Sequence, residues 1–324
     1  MTLPKTTRRT IELGRIAFGA ATLGNLHQEM SDESAHEILQ TAWDLGIRHF
    51  DTAPHYGLGL SERRLGAFLR TRPRDEYVLS TKAGRLLRPN PAGAGTLDLE
   101  QGFAVPADLQ RVPDFSADGV RRSLEESLDR LGLDRVDVLY LHDPERYGLA
   151  DALATGVPGA AALRDEGLVR AIGVGSMSTP ALLDAVRTGA LDLLMVAGRY
   201  TLVEQPVRPE VLDACAEHGV GIVAASVFNS GLLARQDPAG GRYDYGAVPP
   251  DVLRRAQAIA RVCAQHGTTL PAAALQYPLR DPLVRAVVVG AEQPGQVREN
   301  TERLAEALPE ALWEQLQDDG LLPA

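Results

Sequence analysis

The sequence predicts an α/β protein, a closed (β/α)8 barrel of the TIM type, and three observations point there. Eight short apolar runs alternate with eight helical patterns along the chain. Several runs stop at an ionisable residue: Asp51 after Ile47-Arg48-His49-Phe50, Lys82 after Tyr77-Val78-Leu79-Ser80-Thr81, and His142 after Val136-Asp137-Val138-Leu139-Tyr140-Leu141. The glycine-rich turn of an open dinucleotide-binding sheet is missing, because Gly19-Ala20-Ala21-Thr22-Leu23-Gly24 has the wrong glycine spacing and no helix pattern begins there.

Taken in order, a hairpin is expected over residues 9–15 with Gly14 at its turn. Strands are expected at 16–19, 47–51, 77–81, 136–141, 169–173, 193–196, 221–225 and 286–289, each a short apolar run between turn signals. Helical patterns fill 31–45, 61–70, 117–131, 148–166, 179–188, 206–218, 250–266 and 293–308, the first capped by Ser31. A closed barrel buries all eight strands, whereas an open doubly wound sheet usually has fewer. Two connections are long: residues 84–115, with Arg85, Arg88 and Phe103, and residues 229–250, with Tyr243 and Tyr245. Loops of that length at the carboxyl face of a barrel are lids, binding loops or surface insertions.

A length of 324 residues fits one such barrel, so the whole chain is read as a single domain. With 44% hydrophobic and 23% charged residues it has the balance of a globular protein with a large core. Its formal charge of −10 argues against a nucleic-acid groove, which needs a basic face. Cys215 and Cys263 lie in helical patterns without metal-ligand spacing, so no metal site and no disulfide framework is expected. No run reaches the roughly 20 apolar residues that span a bilayer, and the first residues lack a secretory core. The expected setting is cytoplasmic and away from membranes, with a homo-oligomer left open.

Asp51, Tyr56, Lys82 and His142 are the candidate catalytic residues. A phenol near its ordinary pKa of ~10 is a poor proton carrier at neutral pH and needs a neighbour that favours its anion. An ammonium at Lys82, held charged by Asp51, would supply one, and His142 would donate a hydrogen bond to a carbonyl or alcohol oxygen and align it with the phenol. Such a set moves a proton on or off an oxygen whose carbon gains or loses hydride. Plainer readings exist for each: Asp51 as a turn cap, Lys82 as a solvated strand end, His142 as a core histidine, Tyr56 as rim packing. The joint placement on one barrel face favours the chemical reading. His49 and His55 are read as structural.

The motifs Phe50-Asp51-Thr52-Ala53-Pro54-His55-Tyr56-Gly57, Ser61-Glu62, Ser80-Thr81-Lys82, Leu139-Tyr140-Leu141-His142, Ala171-Ile172-Gly173-Val174, Val288-Val289-Gly290 and Gln296-Val297-Arg298-Glu299-Asn300 run nearly end to end. In them the chain resembles the aldo-keto reductases. The resemblance implies an eight-stranded barrel with a nicotinamide cofactor across its mouth and a tetrad of Asp51, Tyr56, Lys82 and His142. It implies cofactor contacts from Ser176, from Phe228, Asn229, Ser230, Gly231 and Leu232 near the pyrophosphate, and from Gly290, Gln296, Glu299 and Asn300 at the adenosine end.

The chain also departs from that family pattern. Many members carry a Ser-Asn pair that binds the nicotinamide carboxamide, where this chain has Gly175-Ser176-Met177, and a glutamine where it has Ala197. Tyr200 or Phe228 is then expected to offer an aromatic face. The two basic residues that grip a 2′-phosphate in NADPH-preferring members align with neutral Gly290 and Gln296, with Glu292 close by, so NAD is favoured over NADP; Arg298 keeps NADP open. The segments 197–205 and 227–231 most resemble the aldose 1-dehydrogenase branch, which includes L-fucose and D-threo-aldose dehydrogenases. That implies oxidation of the anomeric hydroxyl of a free sugar to a lactone, with Arg85, Arg199 and Asn229 near the polyol, the plainer reading of Arg85 and Arg199 being salt bridges that fix loops. The alternatives are an NADPH-dependent reductase of aldehydes or ketones, and a non-catalytic sensor that binds the cofactor.

Overall fold

The computed structural model describes residues 11–244 and 246–323. Among the described residues ten strands are present: β1 Ile16–Gly19, β2 His49–Asp51, β3 Val78–Ala83, β4 Arg85–Pro89, β5 Leu109–Pro113, β6 Val138–His142, β7 Ala171–Ser176, β8 Leu193–Ala197, β9 Gly221–Ala225 and β10 Val284–Val289. All but β4 and β5 form a closed parallel barrel in the order β1-β10-β9-β8-β7-β6-β3-β2, so each of the eight expected strands is found. The strand register pairs Asp51 with Ser80, Lys82 with Tyr140 and His142 with Gly175.

Alternation along each strand divides the core in two. Phe50, Leu79, Leu139, Leu141, Ile172, Leu194 and Ile222 face outward under the helices, while Ala17, Val138, Tyr140, Ala171, Leu193, Met195, Val223, Ala286 and Val288 fill the barrel interior. Leu13 packs on that interior cluster. The same parity fixes the site: with Phe50, Leu79, Leu139 and Leu141 outward, Asp51, Lys82 and His142 at the last inward positions of β2, β3 and β6 share one face.

The helices follow their sequence signals closely. Ser31 accepts from the Ser34 amide to cap Asp32–Asp44, and Ser116 accepts from Gly119 to cap Ala117–Leu131, which stops at Gly132 in the left-handed region. The pattern at 148–166 departs from one continuous helix. A π-helical turn, Ala152–Gly156, precedes Val157–Asp165, and Pro158 in the first turn of that helix lacks the N–H that an unbroken α-helix would need. Two helices were not legible as such: Leu270–Gln276, capped by Thr269, and Glu310–Asp318, whose Leu312, Trp313 and Leu316 are buried.

Residues 84–115 hold an antiparallel hairpin, β4 with β5, rather than an irregular lid. The expected hairpin over residues 9–15 lies partly outside the described residues; of its described part, no residue before β1 is in a strand. Tyr245 also lies outside them.

Candidate active site

β2 ends at Asp51, and the turn after it is tied to the barrel by a chain of short hydrogen bonds. Thr52 Oγ1 lies 2.8 Å from Ser61 Oγ, which donates to the Ala20 carbonyl at 2.7 Å. That turn delivers Tyr56 over the strand ends. Lys82 Nζ donates to Asp51 Oδ2 at 2.6 Å and to the Thr52 carbonyl at 3.0 Å, and lies 4.8 Å from the centre of the Tyr56 ring. Ser80 Oγ donates to the other carboxylate oxygen at 2.7 Å. The His142 ring stands edge-on to Tyr56 with centroids 6.0 Å apart. The structure thus brings Asp51, Tyr56, Lys82 and His142 together.

Burial alone would push the Lys82 pKa down, but the Asp51 charge and Tyr56, each also hydrogen-bonded to the lysine, outweigh it and leave it raised. The ammonium is therefore retained at neutral pH beside the phenol. At His142 burial acts first, reinforced by Arg85, Lys82, His55 and Arg146, and holds the pKa well below the ordinary value. The imidazole is neutral and carries a single N–H. Asp143, next along the chain, sits in the left-handed region at φ 46°, its amide donating to the Gly175 carbonyl at 2.9 Å and its carboxylate 2.5 Å from Arg85.

His55, read from sequence as structural, faces this site. Its ring lies 6.1 Å from Tyr56, 5.5 Å from His142 and 5.4 Å from Phe103, and its buried Nδ1 has no hydrogen-bond partner. Burial first, then Arg85, Arg111, Arg146 and Lys82, lowers its pKa to about 2. The only sequence signal was its place beside Tyr56. The β4–β5 hairpin closes this wall: Leu58, Leu87, Phe103 and Val105 form a small core against Tyr56, and Arg111 bridges Asp98 at 2.6 Å and the His55 carbonyl at 2.8 Å.

Of the expected cofactor contacts, Ser176 is buried at the end of β7, donating to Glu145 Oε1 at 2.6 Å and accepting from the Ser178 amide at 2.8 Å. Phe228 is half-buried ahead of Asn229–Gly231, in which Asn229 and Ser230 adopt positive φ. The amides of Asn229, Gly231 and Leu232 close turns onto Ser226, Phe228 and Asn229 carbonyls, so they are already engaged. Asn229 is buried, its Nδ2 donating to Glu204 and its Oδ1 without a partner. Gly290 is exposed, and a Cβ there would meet the Gly19 carbonyl oxygen at 3.2 Å, so little room is left for a side chain. Gln296 Oε1 accepts from the Glu292 amide at 2.6 Å; Glu299 pairs with Arg303 at 2.9 Å, and buried Asn300 accepts from Arg303. Arg298 is exposed and has no ion-pair partner among the described residues.

Three expectations for the mouth are corrected. Arg199 is spent on Glu204 and Asp244 at 2.9 and 2.6 Å, and Arg85 on Asp143, so both guanidiniums fix loops. Tyr200 turns into the core beside Tyr277, its hydroxyl 3.2 Å from Asp281, and offers no face to the mouth. Tyr243 joins the Arg199 knot by donating to Glu204 at 2.7 Å.

The chain matches the model of the aldo/keto reductase family over residues 15–318. It is similar to D-threo-aldose 1-dehydrogenase of a Pseudomonas species, with 55% identity over 99% of this chain and 98% of that one. It is also similar to pyridoxal 4-dehydrogenase of Microbacterium luteolum, with 35% identity over 97% and 96% of the two chains. In fold it is similar to a glycerol dehydrogenase structure from Gluconobacter oxydans, with a TM-score of 0.73 and 21% identity over 98% of this chain and 96% of that one. On the family match, the full-length relatives and the closed eight-stranded barrel, the chain belongs to the aldo/keto reductase family.

Proposed function

We propose that this oxidoreductase oxidises the anomeric hydroxyl of a free aldose to the lactone, with NAD as its preferred cofactor. The single observation that carries the reading is the contact of Lys82 with both Asp51 and Tyr56, in a chain 55% identical to a D-threo-aldose dehydrogenase. Tyr56 takes the hydroxyl proton, since the ammonium beneath its ring favours the phenolate. Asp51 keeps that ammonium charged and in place, and Ser80 holds the carboxylate from its other side. His142, neutral, donates its N–H to the sugar oxygen and aligns it with the phenol. A bound nicotinamide would supply the hydride acceptor for C1.

The residues at the mouth fit such a cofactor. Two buried acceptor oxygens, Asn229 Oδ1 and Glu145 Oε2, lack partners among the described residues, and buried acceptors are normally satisfied. Gly290 is exposed and has no side chain to cover the rim. At the adenosine end the Gln296 side chain is committed to the Glu292 amide, and the Glu292 carboxylate is 3.3 Å from Gln28. A 2′-phosphate would meet a carboxylate there, which supports NAD over NADP.

The test compares initial rates with NAD and NADP on L-fucose, D-arabinose and pyridoxal against NAD(P)H-driven reduction of a simple aldehyde. Sugar oxidation with NAD should dominate. A dominant NADPH-driven reduction would refute the assignment.

A further inference from the structure

Where the resemblance implies carboxamide-binding amide side chains, this chain has Ser176 and Ala197, and Ser176 is hydrogen-bonded to Glu145. Glu145 lies on the 3-10 turn Pro144–Tyr147, three residues beyond His142. Through Oε1 it accepts the Ser176 hydroxyl at 2.6 Å, and its other oxygen, Oε2, is buried and has no donor among the described residues. A buried carboxylate oxygen with no donor is costly, and an N–H donor supplied by a ligand would resolve it. The turn is held from behind: the Asp143 amide bonds to Gly175, and Asp143 is anchored by Arg85.

We propose that Glu145 binds the nicotinamide end of the cofactor, Oε2 accepting a hydrogen bond from the carboxamide N–H2 in place of the absent amide side chains. This rests on reading the barrel mouth as the nicotinamide site. It has a second consequence, because the oxidised ring is a cation and the reduced ring is neutral: a carboxylate this close favours the oxidised form electrostatically. A dehydrogenase gains from that bias, since it must take up oxidised cofactor and release the reduced one.

The test is equilibrium binding of NAD+, NADH and ADP-ribose, followed by calorimetry, to the parent protein, Glu145→Ala and Glu145→Gln. ADP-ribose lacks the nicotinamide and reports whether the variants keep a folded adenosine and pyrophosphate site. Both variants should bind ADP-ribose within about twofold of the parent, while Glu145→Ala weakens NAD+ by roughly tenfold or more, the size expected for a charge-assisted hydrogen bond. Glu145→Gln keeps an acceptor but no charge, and should lose more affinity for NAD+ than for NADH. Unchanged NAD+ binding by Glu145→Ala overturns the proposal. So does a parallel loss of ADP-ribose binding, which would make Glu145 a loop brace, and an equal loss of NAD+ and NADH by Glu145→Gln overturns the electrostatic bias. A parent that binds only the 2′-phosphorylated ligands shifts the comparison to NADP+, NADPH and 2′-phospho-ADP-ribose. Failure of sugar turnover leaves these affinities readable, so the functional reading and this one fail separately.

Discussion

Gly24 and Gly57 touch backbone to backbone at the foot of the Tyr56 turn: a Cβ on Gly57 would fall 2.2 Å from the Gly24 carbonyl oxygen, and one on Gly24 would fall 2.6 Å from the Tyr56 carbonyl carbon. Neither approach can be relieved by a side-chain rotation, because both partners are backbone. Gly57 also has φ +60°, which disfavours any Cβ. The position of the phenol therefore depends on two residues without side chains.

Gly57→Ala should displace Tyr56 relative to Lys82 and lower kcat by about a hundredfold, the effect of an ångström-scale misplacement. Steady-state kinetics with a thermal melt separates this from global unfolding. Wild-type kcat in Gly57→Ala would show that the turn does not position the phenol.

Tyr56→Phe removes the proton acceptor and leaves the ring. Turnover should fall by about a hundredfold or more, with cofactor affinity within about twofold of the parent. Lys82→Met should cause a similar loss, and the acid limb expected in kcat against pH, where Tyr56 becomes protonated, should move to higher pH, because the phenol is no longer biased toward its anion. An unmoved pH profile in Lys82→Met would remove the lysine from the proton path.

Acid should destabilise the fold through its buried histidines. Burial lowers His49 to about 4 and holds His142 well below its ordinary value. In the unfolded chain each titrates near ~6.5, so the unfolded state binds more protons as the pH falls below that value while the folded state does not. The stability they contribute is full above about pH 6.5 and is lost on acidification, by up to about 1.4 kcal/mol per pH unit for each histidine. His49→Gln should make the decline of urea-unfolding free energy between pH 6.5 and 4 shallower; an identical slope would contradict this account.

Glu62 is fully buried, accepting from Thr81 Oγ1 at 3.0 Å and from Arg130 Nε at 2.6 Å. Arg130→Met leaves that carboxylate with one neutral donor and should cost about 3–5 kcal/mol. Chemical denaturation measures it directly. Glu62→Gln combined with Arg130→Met should recover part of the loss, since the uncompensated charge is then gone.

The eight strands and most of the helices were legible because hydrophobic period and caps are written locally. Once Phe50, Leu79, Leu139 and Leu141 are set outward, strand parity alone turns Asp51, Lys82 and His142 to one side. The helix 310–318 was not legible, since its three buried positions become a core face only when Trp313 meets Tyr277, just past the end of Leu270–Gln276. The break at 152–156 gave no periodic signal, because Leu153 is its one large apolar residue.

The sequence by itself determined the barrel, the ends of its strands and the residue types there. Only the closed structure decided which loop side chains meet. It sent Arg199 to Glu204 and Asp244, turned Tyr200 toward Asp281, folded the β4–β5 hairpin over Tyr56, faced His55 to His142, and set Glu145 on Ser176. The physical reason is that period and capping act over a few residues. Loop contacts instead depend on closure, which brings β1 beside β10 and β3 beside β6 across long stretches of chain.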